Sequence, residues 1–225
     1  MTQGLAGHHV VVLGASNPTG LAIAAGMAAA GAVVDVLART PEQAELIELR
    51  LGGVEGMHAS ALDFASEPAF VEASRRIVVE RGAVDHVVVC LRYGGRGDAV
   101  WGGEGEIGEV YRVMAATFLP CLPEGGSFDF LVCGDRPSVG LQPEGPALVR
   151  AHEATARAWA GTRRVFLLAA GPDDAAVAEQ CVQRAADPSR ASERIVMPGA
   201  FVGDPSWEEL LAARTALDAR LSSRE

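Results

Sequence analysis

Seven short runs of β-branched and aliphatic residues, at 9–13, 32–37, 54–58, 84–90, 127–133, 164–169 and 194–197, recur along the chain with helix-like segments between them. Runs that are apolar at nearly every position belong to strands buried on both faces, and the intervening helices cover those faces. The pattern predicts a doubly wound α/β fold around a mostly parallel seven-stranded sheet, with right-handed crossovers. Helix starts are also legible. Thr40-Pro41-Glu42-Gln43 offers a capping hydroxyl, a proline at the first helical position and a glutamine able to reach back. Ser66-Glu67-Pro68 and Ser206-Trp207-Glu208-Glu209 open two further helices in similar fashion. At 225 residues, with no internal repeat and no dividing linker, the chain reads as one domain.

One stretch breaks the alternation. Residues 92–108, RYGGRGDAVWGGEGEIG, hold seven glycines and no periodicity. They read either as a surface loop or as a flap over the carboxyl ends of the strands, where open α/β sheets take their ligands.

Composition removes several function classes. A net charge of −10 and a pI near 5.0 argue against a surface that tracks phosphates, so nucleic acid is not an expected partner. The most apolar stretch, residues 21–37, is interrupted by Gly26, Gly31 and Asp35, which suits a helix, a turn and a strand better than a bilayer span. The first ten residues lack a basic start and an apolar signal core, and the expected location is cytoplasmic. Cys90, Cys121, Cys133 and Cys181 form no Cys-x-x-Cys pair and read as reduced, mostly buried thiols rather than disulfides or metal ligands. No metal site is expected: His8 and His9 precede the first strand, His58 and His86 sit in strands, and none has ligand spacing. All nineteen basic residues are arginine, and Asn17 is the single asparagine.

The sharpest local signal is VVVLGASNPTGLAIAAG, which sets Gly14 and Gly20 between a hydrophobic strand and an alanine-rich helix. A small-residue turn of this kind lets a pyrophosphate reach the N–H groups and positive dipole of a helix N-terminus. A tight strand-to-helix turn without a ligand is the competing reading. The spacing resembles the short-chain dehydrogenase/reductase family, and the resemblance runs over nearly the whole chain. That family opens with TGxxxGxG, and here Leu13 replaces the threonine, Gly14 and Gly20 match, and Pro18 replaces the middle glycine. The resemblance implies a Rossmann-like fold with Gly14, Ser16, Asn17 and Gly20 at the cofactor. In VVDVLART, Ala38 sits where NAD-preferring members carry an acid, and Arg39 is placed to face the 2′-phosphate of NADP(H), unless it is only a solvated arginine. Asp63 in ALDFAS matches an aspartate that contacts adenine, with a cap or turn role as the alternative. RRVFLLAAGP, residues 163–172, is similar to the family's sixth strand and its Pro-Gly turn.

The chemical half departs from the pattern. Cys90-Leu91-Arg92-Tyr93 stands where the family has NNAG, and GGSFDFLVCG puts Cys133 at the catalytic serine. Pro146 falls at the family's tyrosine and Arg150 at its lysine. The chain has no lysine, and its tyrosines are Tyr93 and Tyr111 alone. The family's reaction needs a phenol whose pKa is lowered by an ammonium, so that it protonates a carbonyl as hydride arrives. Arginine stays charged and proline cannot donate, so Cys133, Pro146 and Arg150 do not reproduce that pair.

Other groups near the expected cleft are Asp135, Arg136, His152 and Glu153. As helix neighbours, His152 and Glu153 point about 100° apart and do not form one acid/base pair. Cys133 would act as a nucleophile only with its thiolate stabilised by Arg136 or Arg150, and its strand context favours burial. Helices near 109–122 and 146–161 correspond by resemblance to those of the family's oligomer interface, and their apolar residues suit burial by a partner or by the core. Two expectations follow. One is a non-catalytic structural or regulatory subunit paired with a catalytic homologue in a hetero-oligomer. The other is an atypical NADP(H)-dependent carbonyl reductase, or a non-redox enzyme, with a rebuilt site.

Overall fold

The computed structural model describes residues 4–51, 53–62, 67–92, 107–133, 145–170, 173–189 and 191–196. The elements are β1 (His9–Leu13), α1 (Pro18–Ala29), β2 (Val33–Ala38), α2 (Pro41–Leu51), β3 (Met57–Ala61), α3 (Glu67–Arg81), β4 (His86–Arg92), α4 (Ile107–Phe118), β5 (Ser127–Cys133), α5 (Gly145–Ala158), β6 (Arg164–Ala170), α6 (Asp174–Ala186) and β7 (Glu193–Val196). All seven strands pair in parallel, in the order β3-β2-β1-β4-β5-β6-β7. The doubly wound sheet read from the alternating runs is therefore the fold.

Three strands start later than the apolar runs suggest. Val54 lies in a turn, where its amide donates to Leu51 and its carbonyl accepts from Met57, and Gly56 at φ +80° finishes the bend, so β3 begins at Met57. Val84 is buried, but Asp85 turns there: its carboxylate accepts from the amide of His9, and β4 begins at His86. Ala32 is likewise buried in a turn ahead of β2, its amide bonded to Met27. At α2 the capping reading holds. The Thr40 hydroxyl accepts from the amide of Gln43, and the Gln43 side chain accepts from the amide of Arg39. The starts at Ser66 and Ser206, and the glycine-rich residues 93–106, lie outside the described residues.

The two faces of the sheet are built differently. Against α3, α4 and α5 it presents Val87, Val89, Phe128, Phe130, Val132 and Leu167, a wholly apolar layer on which Tyr111 packs edge-on, while Phe118 meets Phe70 of α3 edge-on above it. Each such aromatic, fully buried, contributes about 2–3 kcal/mol. Against α1, α2 and α6 it presents Val10, Val12, Val34, Val36, Val88 and Leu131. Small residues let α1 and α6 approach closely: a Cβ on Gly26 would stand 3.4 Å from Val182.

The α1/α6 face also carries charge. Asp129 in β5 is 2% exposed and Arg184 in α6 is fully buried, and they form an ion pair of 3.1 Å. The guanidinium stacks on Phe166, 5.4 Å from the ring centroid, and donates to the Cys181 sulfur. Arg164 closes the end of α6 by donating to the carbonyls of Arg184 and Asp187, both at 2.6 Å. At the amino edge of the sheet, His8 stacks on His86 and is bonded to it at 2.9 Å, and the other ring nitrogen of His86 meets Ser127 at 2.9 Å. His9 meets Asp35 at 2.7 Å. These histidines have structural partners, as expected from their spacing.

Candidate functional site

An open parallel sheet binds ligands beyond its carboxyl ends, at the point where the strand order reverses. Here that point lies between β1 and β4, which flank each other while their connections run to opposite sides. The turn from β1 to α1 occupies it. Gly14 has φ +87°, and a Cβ there would stand 1.9 Å from the Cys90 carbonyl oxygen, so only glycine lets β1 turn this close to β4. Gly20 is equally constrained, its Cβ position lying 2.5 Å from the Gly14 oxygen.

Asn17 braces this turn. Its side-chain oxygen accepts from the amide of Gly20 at 2.8 Å, and its amide group donates to the carbonyls of Gly14 at 2.6 Å and Cys90 at 3.2 Å. It thus caps α1 and ties the first loop to β4 across the reversal point. Pro18, the first residue of α1, has the favoured φ but no N–H to offer. Of the first-turn amides, one is missing at Pro18 and the one at Gly20 is taken by Asn17, while that of Thr19 is not used by the asparagine. Ser16 is exposed beside them. The turn therefore offers an anion fewer first-turn donors than a glycine at position 18 would leave. Thr19 fixes the start of the helix from the other side, its hydroxyl donating to Asp174 at 2.5 Å.

Arg39 follows β2 and is exposed, as a phosphate ligand or a solvated arginine would be. Asp63 lies outside the described residues, as do Tyr93, Asp135 and Arg136. Cys133 is the last residue of β5, buried, with its sulfur 3.2 Å from that of Cys90. The hydrogen bond between them and their burial hold the Cys90 thiol well above its ordinary pKa. Cys90 also donates to the Asn17 oxygen at 3.5 Å. Burial pushes Cys181 up to about 12. All four cysteines are free thiols, three of them buried.

In α5, Pro146 is the second residue and Arg150 is exposed, one helical turn on. His152 and Glu153 diverge as their spacing requires, His152 inward at 4% exposure and Glu153 outward. The partner of His152 is Tyr111, whose hydroxyl meets Nδ1 at 3.3 Å between α4 and α5. Tyr111 is fully buried against Phe128 and Phe130, and desolvation raises its pKa. The phenol is thus a core group whose acidity is shifted away from proton transfer near neutral pH. The apolar residues of α4 and α5, including Val110, Met114, Leu148 and Val149, are covered within the chain. Their outward residues, among them Glu109, Arg112, Arg150, Glu153 and Arg157, are charged or small.

The thiol pair was not legible from spacing: 43 residues separate Cys90 from Cys133 (133 − 90). Both stand at carboxyl ends of strands that become neighbours only once the order of the sheet is known. Among the described residues no group of three or more His, Cys, Asp or Glu side chains could hold a metal ion, and no helix is long and apolar enough to cross a membrane.

No protein-family model and no curated protein matches the sequence. Solved structures do match the fold. A short chain dehydrogenase from Burkholderia cenocepacia in complex with NADP aligns with a TM-score of 0.68 at 19% identity, covering 87% of this chain and 98% of that one. The Pseudomonas aeruginosa RhlG/NADP active-site complex aligns with a TM-score of 0.63 at 19% identity over 89% and 98%. A metagenomic short-chain oxidoreductase in complex with NADP gives 0.62 at 19% identity over 86% and 97%. The likeness establishes the fold.

Proposed function

We propose that this chain is a member of the short-chain dehydrogenase/reductase family without the usual proton-transfer pair, and that it serves as a structural or regulatory subunit beside a catalytic homologue. The reading rests on one observation. With no lysine in the chain, the phenol at Tyr111 is spent in the core on His152, and the catalytic-serine position, Cys133, is buried against Cys90. A carbonyl brought to this cleft would meet no phenol activated by an ammonium.

The proposed nucleotide is NADP(H), on the likeness to three structures in complex with NADP and on the exposed Arg39 beside Ala38. Bound there, it would supply hydride. Gly14, Ser16, Asn17 and Gly20 would form the pyrophosphate turn, Arg39 would pair with the 2′-phosphate, and Asp63 would meet adenine. Subunit contact is proposed through α4 and α5, whose charged and small outward residues suit a polar, closely approaching interface. Free thiols fit a reducing compartment, and we place the protein in the cytoplasm.

The test is a carbonyl panel offered to the isolated protein with NADPH, followed by reconstitution with a purified catalytic short-chain dehydrogenase. No turnover alone, and a stable mixed oligomer with altered activity of the partner, are the expected results. Turnover alone at an ordinary enzymatic rate overturns the reading, and so does a homodimer that refuses exchange. The second reading, an atypical NADP(H)-dependent carbonyl reductase, draws on the retained cradle at Gly14 and Gly20 and predicts that turnover.

A further inference from the structure

We propose that Cys90 and Cys133 form a thiol-modification site, converted by a hydroperoxide into an intramolecular disulfide at the carboxyl edge of the sheet. Their sulfurs stand 3.2 Å apart, and a disulfide needs about 2.05 Å, so closure asks for roughly 1.2 Å of approach. The positions allow it. Cys133 is the terminal residue of β5 and Cys90 lies two residues before the end of β4, so the approach is made near the carboxyl ends of both strands. In the register Cys133 pairs with Arg92 and Cys90 with Leu131, so the thiols meet diagonally and lean toward each other along the strands.

The chemistry is a two-electron oxidation. One thiolate attacks the distal oxygen of the hydroperoxide, forming a sulfenic acid and releasing an alcohol, or water when the oxidant is hydrogen peroxide. The second thiol attacks the sulfenic sulfur, the S–S bond forms, and water leaves with the second proton. Two thiols lose two protons and two electrons, and the O–O bond takes them. A small uncharged oxidant is the class that suits a site this buried. Burial and the raised Cys90 pKa make the first step slow, and its rate rises with pH as thiolate forms.

Two surrounding contacts select this pair over others. Cys181, in the same face, has its sulfur tied to the Arg184 guanidinium at 3.2 Å, while Cys121 lies on the opposite side of the sheet after α4. Oxidation also removes the S–H that Cys90 donates to Asn17, so the turn at Gly14 to Gly20 is the segment that feels the change.

The experiment treats the folded protein with excess hydrogen peroxide at pH 8.5 and then alkylates and maps the cysteines by mass spectrometry, with circular dichroism recorded alongside. The expected result is loss of two of the four titratable thiols, a mass lower by two hydrogen atoms, a Cys90–Cys133 cross-linked peptide, and reversal by dithiothreitol. Cys90→Ala and Cys133→Ala should each abolish the two-hydrogen loss. Four thiols surviving in folded protein overturn the proposal. So does a bond between any other pair, or oxidation of one cysteine alone to the sulfinic acid.

Discussion

At the amino edge of the sheet, polar side chains satisfy one another: His8 with His86, His86 with Ser127, His9 with Asp35, Asp85 with the backbone of His9. At the carboxyl edge, among the described residues, Asn17 spends its amide on the backbone of Gly14, Gly20 and Cys90, Thr19 donates to Asp174, and the Cys90 thiol meets Asn17 and Cys133. Groups bonded to each other in a low-dielectric interior rigidify the fold, whereas groups that shape a turn leave its outer surface for a ligand. The difference separates residues that hold the sheet from residues that would serve function. Substitutions below Phe130 should act on stability, and those above it on binding.

The largest effect is expected at the buried ion pair. Arg184→Met leaves the Asp129 carboxylate without its partner, and loss of one member of such a pair costs about 3–5 kcal/mol. Burial already raises the Asp129 pKa against the pull of Arg184, so the deprived carboxyl would rather protonate than stay charged. The double variant Asp129→Leu/Arg184→Met removes both charges and should recover most of the loss. Urea denaturation of the three proteins measures it. A double variant no more stable than Arg184→Met would mean that Asp129 holds the fold by contacts other than this pair.

Next in size is a pH effect confined to the amino edge. His86 is 2% exposed, and desolvation, then the charge on Arg164, lower its pKa to about 4. Its folded value lies below the unfolded one, so the neutral ring is favoured by folding and stability is complete above pH 6.5. As pH falls from 6.5 toward 4 the unfolded chain takes up a proton the native state refuses, a loss of about 3 kcal/mol. His9 has the opposite sign. Its hydrogen bond to Asp35 raises the pKa, so its contribution is full below 6.5 and fades as pH climbs through the raised value. Histidine NMR titration separates them: His86 should stay neutral to about pH 4, and a midpoint near 6.5 would remove the effect.

These two networks also mark how far the sequence could be read. The apolar runs are periodic and local, and they yield seven strands, their parallel order of connection and the two-sided helical cover. Val84 misled its boundary because it is buried although it lies in the turn before its strand, whereas Val54 is a β-branched residue left 41% exposed in the turn before β3, where residue type alone suggested strand. The Gly14 and Gly20 turn was legible because only glycine fits there. Asp129 with Arg184, Tyr111 with His152 and Cys90 with Cys133 were not, since each joins elements that the folded topology alone brings together. Arg184 and His152 sit on helices among other polar residues, and no single-sequence pattern distinguishes a charge turned inward from one turned out.

At the carboxyl edge the stability effects shrink. Asn17→Ala removes the α1 cap and the side-chain donor to the Gly14 and Cys90 carbonyls, while the backbone amide of residue 17 still serves Gly14, a loss of about 1–2 kcal/mol. Because the turn rather than the core is disturbed, the fractional loss in NADPH affinity should exceed what so modest a destabilisation would suggest. Equal NADPH titrations for the two proteins would remove Asn17 from the proposed nucleotide site.

The smallest change in stability belongs to Arg39, and it tests the comparison most directly. Its side chain is exposed after β2, so Arg39→Ala should leave the denaturation midpoint within about 0.5 kcal/mol of the parent. If the guanidinium pairs with a 2′-phosphate, the same variant loses a charge-assisted contact that NADH never makes, and preference for NADPH over NADH should fall about tenfold, the equivalent of 1.4 kcal/mol. Both titrations by fluorescence, on one preparation, separate the cases. A fall in NADPH affinity alone ties the carboxyl edge to a phosphorylated nucleotide. An equal fall for both nucleotides would make Arg39 a general electrostatic contributor, and no fall for either would leave it a solvated residue at the end of a strand.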